Sequence, residues 1–202
     1  MNMEKTYTVR RVTDPKINWE DIPAAQIDEY PWGGEYRPRS WAKLVRLGDE
    51  GYVVRMFSAE KDPRAAYVFY GEPVWQDSAL EWFLQPIEGD PRYFNIEMNA
   101  AGNSVCKIGT CRADRVWFDV PPSVVAEPVA DGWQVTCFLP FSEIARLFDV
   151  PAASLLSAKT LRGNFYKCGE ETEFPHFGAW KGPTTPQPDF HTPGDFGTVT
   201  VE

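Results

Sequence analysis

The run Tyr93-Phe94-Asn95-Ile96-Glu97-Met98-Asn99 places an amide, a carboxylate and an amide at alternate positions. A strand sends successive side chains to opposite faces. Phe94, Ile96 and Met98 are therefore assigned to a core, and Asn95, Glu97 and Asn99 to one shared outer face. Such a row offers many directional hydrogen bonds, which is the chemistry needed to hold a polyhydroxylated ligand. A plain solvent-facing sheet surface has the same pattern. A second run, Trp75-Gln76-Asp77-Ser78-Ala79-Leu80-Glu81-Trp82-Phe83, puts Leu80, Trp82 and Leu84 on one face and Glu81 with Phe83 on the other. Trp75 lies in the turn ahead of it. There an indole can cover the C–H face of a sugar while nearby acids accept hydroxyl protons. The competing roles are an edge cover for Trp75 and an Asx turn for Asp77.

The third region runs from Arg162 through Asn164, Lys167 and Cys168 to His176-Phe177-Gly178-Ala179-Trp180, then Pro188-Asp189-Phe190-His191. It reads as a polar strand feeding a loop dense in aromatic residues, and loops on rigid scaffolds often carry function. The same loop could simply be held down by its own rings.

The elements that must position these residues are strands. Candidate strands are Thr6–Val12, Gly51–Ser58, Ala66–Tyr70, Ala79–Gln85, Tyr93–Ala100, Val116–Val120, Gly132–Leu139, Leu161–Cys168 and Gly197–Val201. One short helix is expected over Glu143–Phe148, capped by Ser142, with Ile144, Leu147 and Phe148 on one face. The 18 prolines among 202 residues disfavour long helices. The predicted fold class is all-β, an antiparallel two-sheet β-sandwich of roughly nine or ten strands. No repeat or linker divides the chain, so residues 1–202 read as a single domain.

A net charge of -9 argues against nucleic acid and anionic membranes as partners, and for a neutral ligand. No apolar run of signal-peptide type opens the chain, and none has membrane-span length; the expected setting is cytoplasmic. Cys106, Cys111, Cys137 and Cys168 form no CxxC pair, and free thiols are expected there, although Cys106 and Cys111 could bridge.

Together, Trp75…Asp77-Ser78…Glu81-Trp82-Phe83, Tyr93 to Asn99, Gly163 to Lys167 and His176 to Trp180 resemble the family 9 carbohydrate-binding modules, and more closely the stand-alone family 9-like proteins of bacteria. The resemblance runs from Tyr7 to the last strand. It implies a DOMON-like (jelly-roll type) β-sandwich in which two tryptophans clamp a sugar, often at its reducing end. Trp75 and Trp180 fall where those tryptophans belong, and Glu81 matches the ligand-binding glutamate. The implied ligand-binding set is Trp75, Asp77, Glu81, Asn95, Glu97, Asn99, Asn164, Lys167, His176 and Trp180. Arg92, Arg112 and Arg162 are alternative counterparts of the family's sugar-binding arginine. The family's calcium sites find no matching acidic cluster, so no cofactor is assigned and structural calcium has no placed site. The implied partner is a mono- or oligosaccharide; the sequence leaves the oligomeric state open.

Three other functions compete. A glycoside hydrolase would use Glu81 and Glu97 as its two carboxylates. A haem protein would draw on His176, His191, Met56 and Met98. A protein-interaction or structural domain would use the exposed aromatics.

Overall fold

In a computed structural model, which describes residues 4–202, the chain is built from thirteen strands and two short helices. In order they are β1 (Thr6–Val12), β2 (Ala25–Ile27), β3 (Ser40–Leu47), β4 (Gly51–Ser58), β5 (Ala79–Gln85), β6 (Tyr93–Asn99), β7 (Ser104–Gly109), β8 (Val116–Trp117), β9 (Ser123–Val129), β10 (Gly132–Pro140), α1 (Phe141–Phe148), α2 (Ala152–Leu156), β11 (Thr160–Gly169), β12 (His176–Ala179) and β13 (Gly197–Val201). The strands form one path, β8-β7-β6-β5-β11-β13-β1-β3-β4-β10-β9, which curls into two layers; β12 adds to β11 and β2 to β3. β1 joins the layers. Its first half pairs with β13 and its second half with β3, both in parallel. The expected all-β, jelly-roll-like sandwich is present, and its pairing is antiparallel except at β1, which runs parallel to both β13 and β3.

The main core lies between the layers. In β10, Trp133, Val135, Cys137 and Leu139 are buried and alternate with half-buried Gln134, Thr136 and Phe138. Leu80, Trp82 and Leu84 of β5, and Phe94, Ile96 and Met98 of β6, meet them from the other layer. The strand parity read from the sequence therefore holds. The polar face of β5, β6 and β11 is also buried, because the aromatic segment after β12 folds back over it. Phe83, Tyr93, Tyr166, Phe190 and Phe196 form a second, smaller core there.

Several local expectations are corrected. Ala66–Tyr70 is an irregular loop, and Val116–Val120 shrinks to the two residues of β8. Four strands, β2, β3, β7 and β9, and the short β12 lie outside the expected set. In β3, Leu44 to Leu47 are all buried, which erases the period of two. β9 carries Pro128, which is tolerated because this strand pairs on one side only, with β10. The helix begins at Phe141 with Pro140 as its N-cap, so Ser142 sits in the first turn and does not cap it. Phe141, Ile144 and Phe148 bury into the core from this helix, and α2 follows as a further turn. All four cysteines are free. Among the described residues no helix is long and apolar enough to cross a membrane.

Candidate functional site

A cleft opens on the covered face of the β5–β6–β7 layer. About 540 Å³ of empty space lies within it and its open mouth. Its floor is a pair of carboxylates. Glu81 and Glu97 are register partners on β5 and β6, and both are buried. Opposed residues on neighbouring strands have Cβ atoms about 5 Å apart, so the two acids share one patch. Beside Glu97, β7 contributes Val105 and Lys107.

Three segments wall the floor. The first is a single 3-10 turn, Val74–Gln76, which carries Trp75. Fully buried Val74 roots it, and the end of β11 clips it: the Glu170 amide donates to the Trp75 carbonyl at 3.3 Å and the Glu171 amide to the Gln76 carbonyl at 3.0 Å. The second wall comes from β12 and the long loop after it. Phe177, Asp189, Phe190 and His191 line the cleft. Phe190 is stacked on Tyr166 at 4.1 Å, His191 Nδ1 shares a 2.8 Å hydrogen bond with the Tyr93 hydroxyl, and Trp32 Nε1 donates to the Thr185 carbonyl at 2.8 Å. The proline-rich segment is therefore an ordered wall. The third wall is the β7–β8 loop, folded around Asp114, which accepts from the Thr110 and Cys111 amides. It delivers Arg112 and Arg115. Arg115 reaches inward to donate to Asn95 Oδ1 at 3.0 Å and lies 3.6 Å from Glu97 Oε1. Arg112 pairs with Asp189 at 2.8 Å.

The electrostatics follow from crowding like charges in a dry place. Burial raises Glu81 well above the ordinary carboxylate range, and the Glu97 charge adds to this. Burial also pushes Glu97 up to about 7, with Arg115 and Arg112 pulling the other way. Two such carboxyls cannot both ionise easily, so at neutral pH the pair holds a proton and offers both an O–H donor and carboxylate acceptors. Burial lowers His191 to about 2, so its ring is neutral.

The structure sorts the expected site residues into two groups. Trp75, Glu81 and Glu97 line the cleft, and Asn95 stands behind Glu97, donating to its Oε1 at 2.7 Å. The others do not reach it. Asp77 is fully buried; it accepts from the Tyr67 amide and Asn99 Nδ2, each at 2.9 Å, and pairs with Arg64. Asn99 uses its oxygen on the amides of Ala101 and Asn103, shaping the β6–β7 turn. Asn164 ties β11 to Lys181, donating to its carbonyl at 2.8 Å and accepting from its amide at 3.1 Å.

Lys167 projects to the other face of β11. Its ammonium lies 3.1 Å from Glu60 Oε2 in a buried cluster with Trp133 Nε1, Ser58 and Ser78. His176 joins that cluster, with Nδ1 on the Phe174 carbonyl at 2.7 Å and Nε2 3.6 Å from Glu60. Trp180 packs in the inter-sheet core, edge-on to Tyr7 and against Phe165. Its ring lies where a Cβ on Gly197 would come within 2.4 Å, so only glycine fits there. Trp180 does not line this cleft, where Phe177 and Phe190 stand with Trp75; it borders a separate opening beside Lys5, Tyr7, Pro23 and Gln26.

Of the three candidate arginines, Arg112 is at the cleft. Arg92 is occupied by Asp90 and the Phe148 carbonyl, and Arg162 by the Gly194 and Phe196 carbonyls. Sequence reasoning missed Arg115 and Lys107, because neither β7 nor its loop was recognised. The residues that a haem protein would draw on are scattered, with Met56 and Met98 in the core and the two histidines in separate clusters. Among the described residues, no group of three or more His, Cys, Asp or Glu side chains is arranged to hold a metal ion.

With this geometry in view, similarity to known proteins is informative. The family model of carbohydrate-binding family 9 matches residues 12–201, and the chain belongs to that family. Among solved structures, a proposed carbohydrate-binding protein of Bacteroides uniformis is 25% identical with a TM-score of 0.85, over 99% of this chain and 100% of that one. A family 9 carbohydrate-binding module of Caldicellulosiruptor kristjanssonii, seen in complexes with glucose and with cellotriose, shares the fold at TM-score 0.66 and 13% identity. Those alignments cover 98% of this chain and 96% and 94% of the module. No curated protein matches.

Proposed function

We propose that the protein is a non-catalytic saccharide-binding module that seats a sugar ring in the cleft over Glu81 and Glu97. The observation that carries this reading is the placement of Trp75 beside two buried carboxyls in an open cleft, in a family 9 chain. Pyranose rings carry C–H groups on their faces and hydroxyls on their rims. Trp75 and Phe177 suit the faces. The carboxyl pair, Arg115 and Lys107 suit the rim, with donors and acceptors in close alternation. Covering apolar surface is worth roughly 25 cal/mol per Å², and each hydrogen bond adds about 1 kcal/mol net. Set against an association cost of at least ~4 kcal/mol, this gives micromolar to millimolar affinity as an order of magnitude.

The glucose and cellotriose complexes of the Caldicellulosiruptor module support β-linked glucose units as the first ligands to try. The test is a tryptophan-fluorescence titration against glucose, galactose, mannose, xylose and their disaccharides, run beside Trp75→Ala. A saturable change that the variant loses is the expected result. A flat response from folded wild-type protein across the panel would remove saccharide binding as the function.

A further inference from the structure

Beyond the rim of the cleft, Phe69, Tyr70 and Trp117 remain in water, 72%, 41% and 44% exposed. Clustered exposed aromatics of this size mark interaction sites more often than accidents of folding. Trp117 sits on β8, the outermost strand of this layer. Its register partner is Lys107, whose own partner on the next strand is Asn95. The three side chains therefore stand in one row, on the face that carries the cleft. Lys107 lines the cleft, and its ammonium lies 4.1 Å from the centre of the Trp117 ring. Tyr70 meets the indole edge-on at 5.8 Å and is fixed by its hydroxyl, which donates to the Phe118 carbonyl at 3.3 Å. The indole is thus held in place and continuous with the cleft through one polar side chain.

Distance sets what this platform can touch. Neighbouring strands are about 4.8 Å apart, so β8 lies roughly 10 Å from the strand of Glu97 and roughly 14 Å from that of Glu81. A single ring seated on the carboxyl pair does not span that gap; the next unit of a chain does.

We propose that Trp117, with Lys107, forms an outer subsite for a second sugar ring, so that the natural ligand is an oligosaccharide whose first ring occupies the cleft. The proposal rests on saccharide binding in the cleft. The indole supplies an apolar platform, and the Lys107 ammonium donates to a hydroxyl at the junction of the two rings.

Calorimetric titration of wild-type protein and Trp117→Ala tests it, using glucose, cellobiose and cellotriose, with galactose, mannose, xylose and their disaccharides in parallel. The expected result is that a disaccharide binds wild type roughly tenfold more tightly than its monosaccharide, about 1.4 kcal/mol. Trp117→Ala should abolish that gain and leave monosaccharide affinity unchanged. Equal loss of mono- and disaccharide affinity, or no loss of either, overturns the outer subsite while leaving the cleft intact. Absence of binding to any sugar in wild type removes both readings. Sedimentation of the same two proteins covers the other use of such a patch. A wild-type dimer that Trp117→Ala dissociates assigns the surface to self-association and overturns the proposal.

Discussion

Two buried acidic clusters stand on opposite faces of the same strands, and they have opposite characters. Around Glu60, every strong partner is internal. Lys167 supplies the countercharge; Trp133, Ser58 and Ser78 donate hydrogen bonds. Burial alone would raise the Glu60 carboxyl, yet Lys167 and Trp133 hold it below its ordinary value. Around Glu81 and Glu97, Arg115 and Asn95 make the close contacts, both on Glu97, both acids are raised despite the nearby Arg112, and the patch opens into a cleft. The Glu60 carboxylate has its acceptor positions filled from within the chain and has no capacity left for a ligand. An undersatisfied one retains hydrogen-bonding capacity and an incentive to fill it. The contrast teaches that burial and charge do not mark a binding site; unmet demand beside an opening does.

The largest expected effect breaks the saturated side. Lys167→Met leaves Glu60 buried without its cation and should cost about 3–5 kcal/mol in urea unfolding. Glu60→Gln combined with Lys167→Met should recover a substantial part of that loss. Saccharide affinity of the folded fraction should not change, and a specific loss of affinity would place Lys167 in the binding machinery after all.

Next come the two tryptophans. Trp180→Ala should destabilise by about 3–5 kcal/mol as a core truncation, with saccharide affinity kept below its unfolding transition. Trp75→Ala should do the reverse, lowering affinity more than about tenfold while stability falls by under about 1.4 kcal/mol. Urea curves and titrations on the same samples separate the two.

The net pH slope is the smallest effect, because the two clusters contribute with opposite sign over overlapping pH ranges. The unfolded Glu97 carboxyl titrates near its ordinary 4.5 and the folded one near 7. Between those values the folded chain holds a proton that the unfolded chain has released, so stability falls as pH rises through this window. His176 runs the other way. Burial, aided by the Lys167 charge, lowers it from 6.5 to about 4, so stability is lost as pH falls through that range. Glu97→Gln should remove this fall in stability between about pH 4.5 and 7 and raise the melting temperature at pH 8. An unchanged profile would mean that the carboxyl pair is ionised in the folded protein.

Much of this frame was legible in the sequence. Alternation in Gly132–Leu139, Ala79–Gln85 and Tyr93–Ala100 fixed which residues face the inter-sheet core, and the resemblance carried the family. The cleft is legible in part: the pattern points to Trp75, Glu81 and Glu97, but equally to Asp77, Asn99, Asn164 and Lys167. Strand parity says which face a side chain takes, and not what covers that face. Asp77 and Asn99 lie on the right side yet are consumed by the loop at Tyr67 and by the β6–β7 turn. Lys167 lies on the opposite face of β11, facing Glu60, an acid far away in sequence whose role no local pattern announces. Trp180 follows a strand too short to read from four residues, and its burial depends on glycine at 197. Arg115 and Lys107 were hidden because β7 mixes Ser104, Cys106 and Lys107 into a run with weak alternation.

A sugar seated over Glu81 and Glu97 meets the Trp75 indole and leaves that of Trp180 untouched in the proposed complex. The most direct measurement is a proton–nitrogen correlation spectrum of the indole N–H groups during a titration with cellobiose and the other disaccharides, with resonances assigned by Trp75→Phe and Trp180→Phe. The Trp75 signal is expected to shift in a saturable way while the Trp180 signal stays in place. Movement of Trp180 with Trp75 unmoved, or no movement of either at saturating sugar, would contradict it.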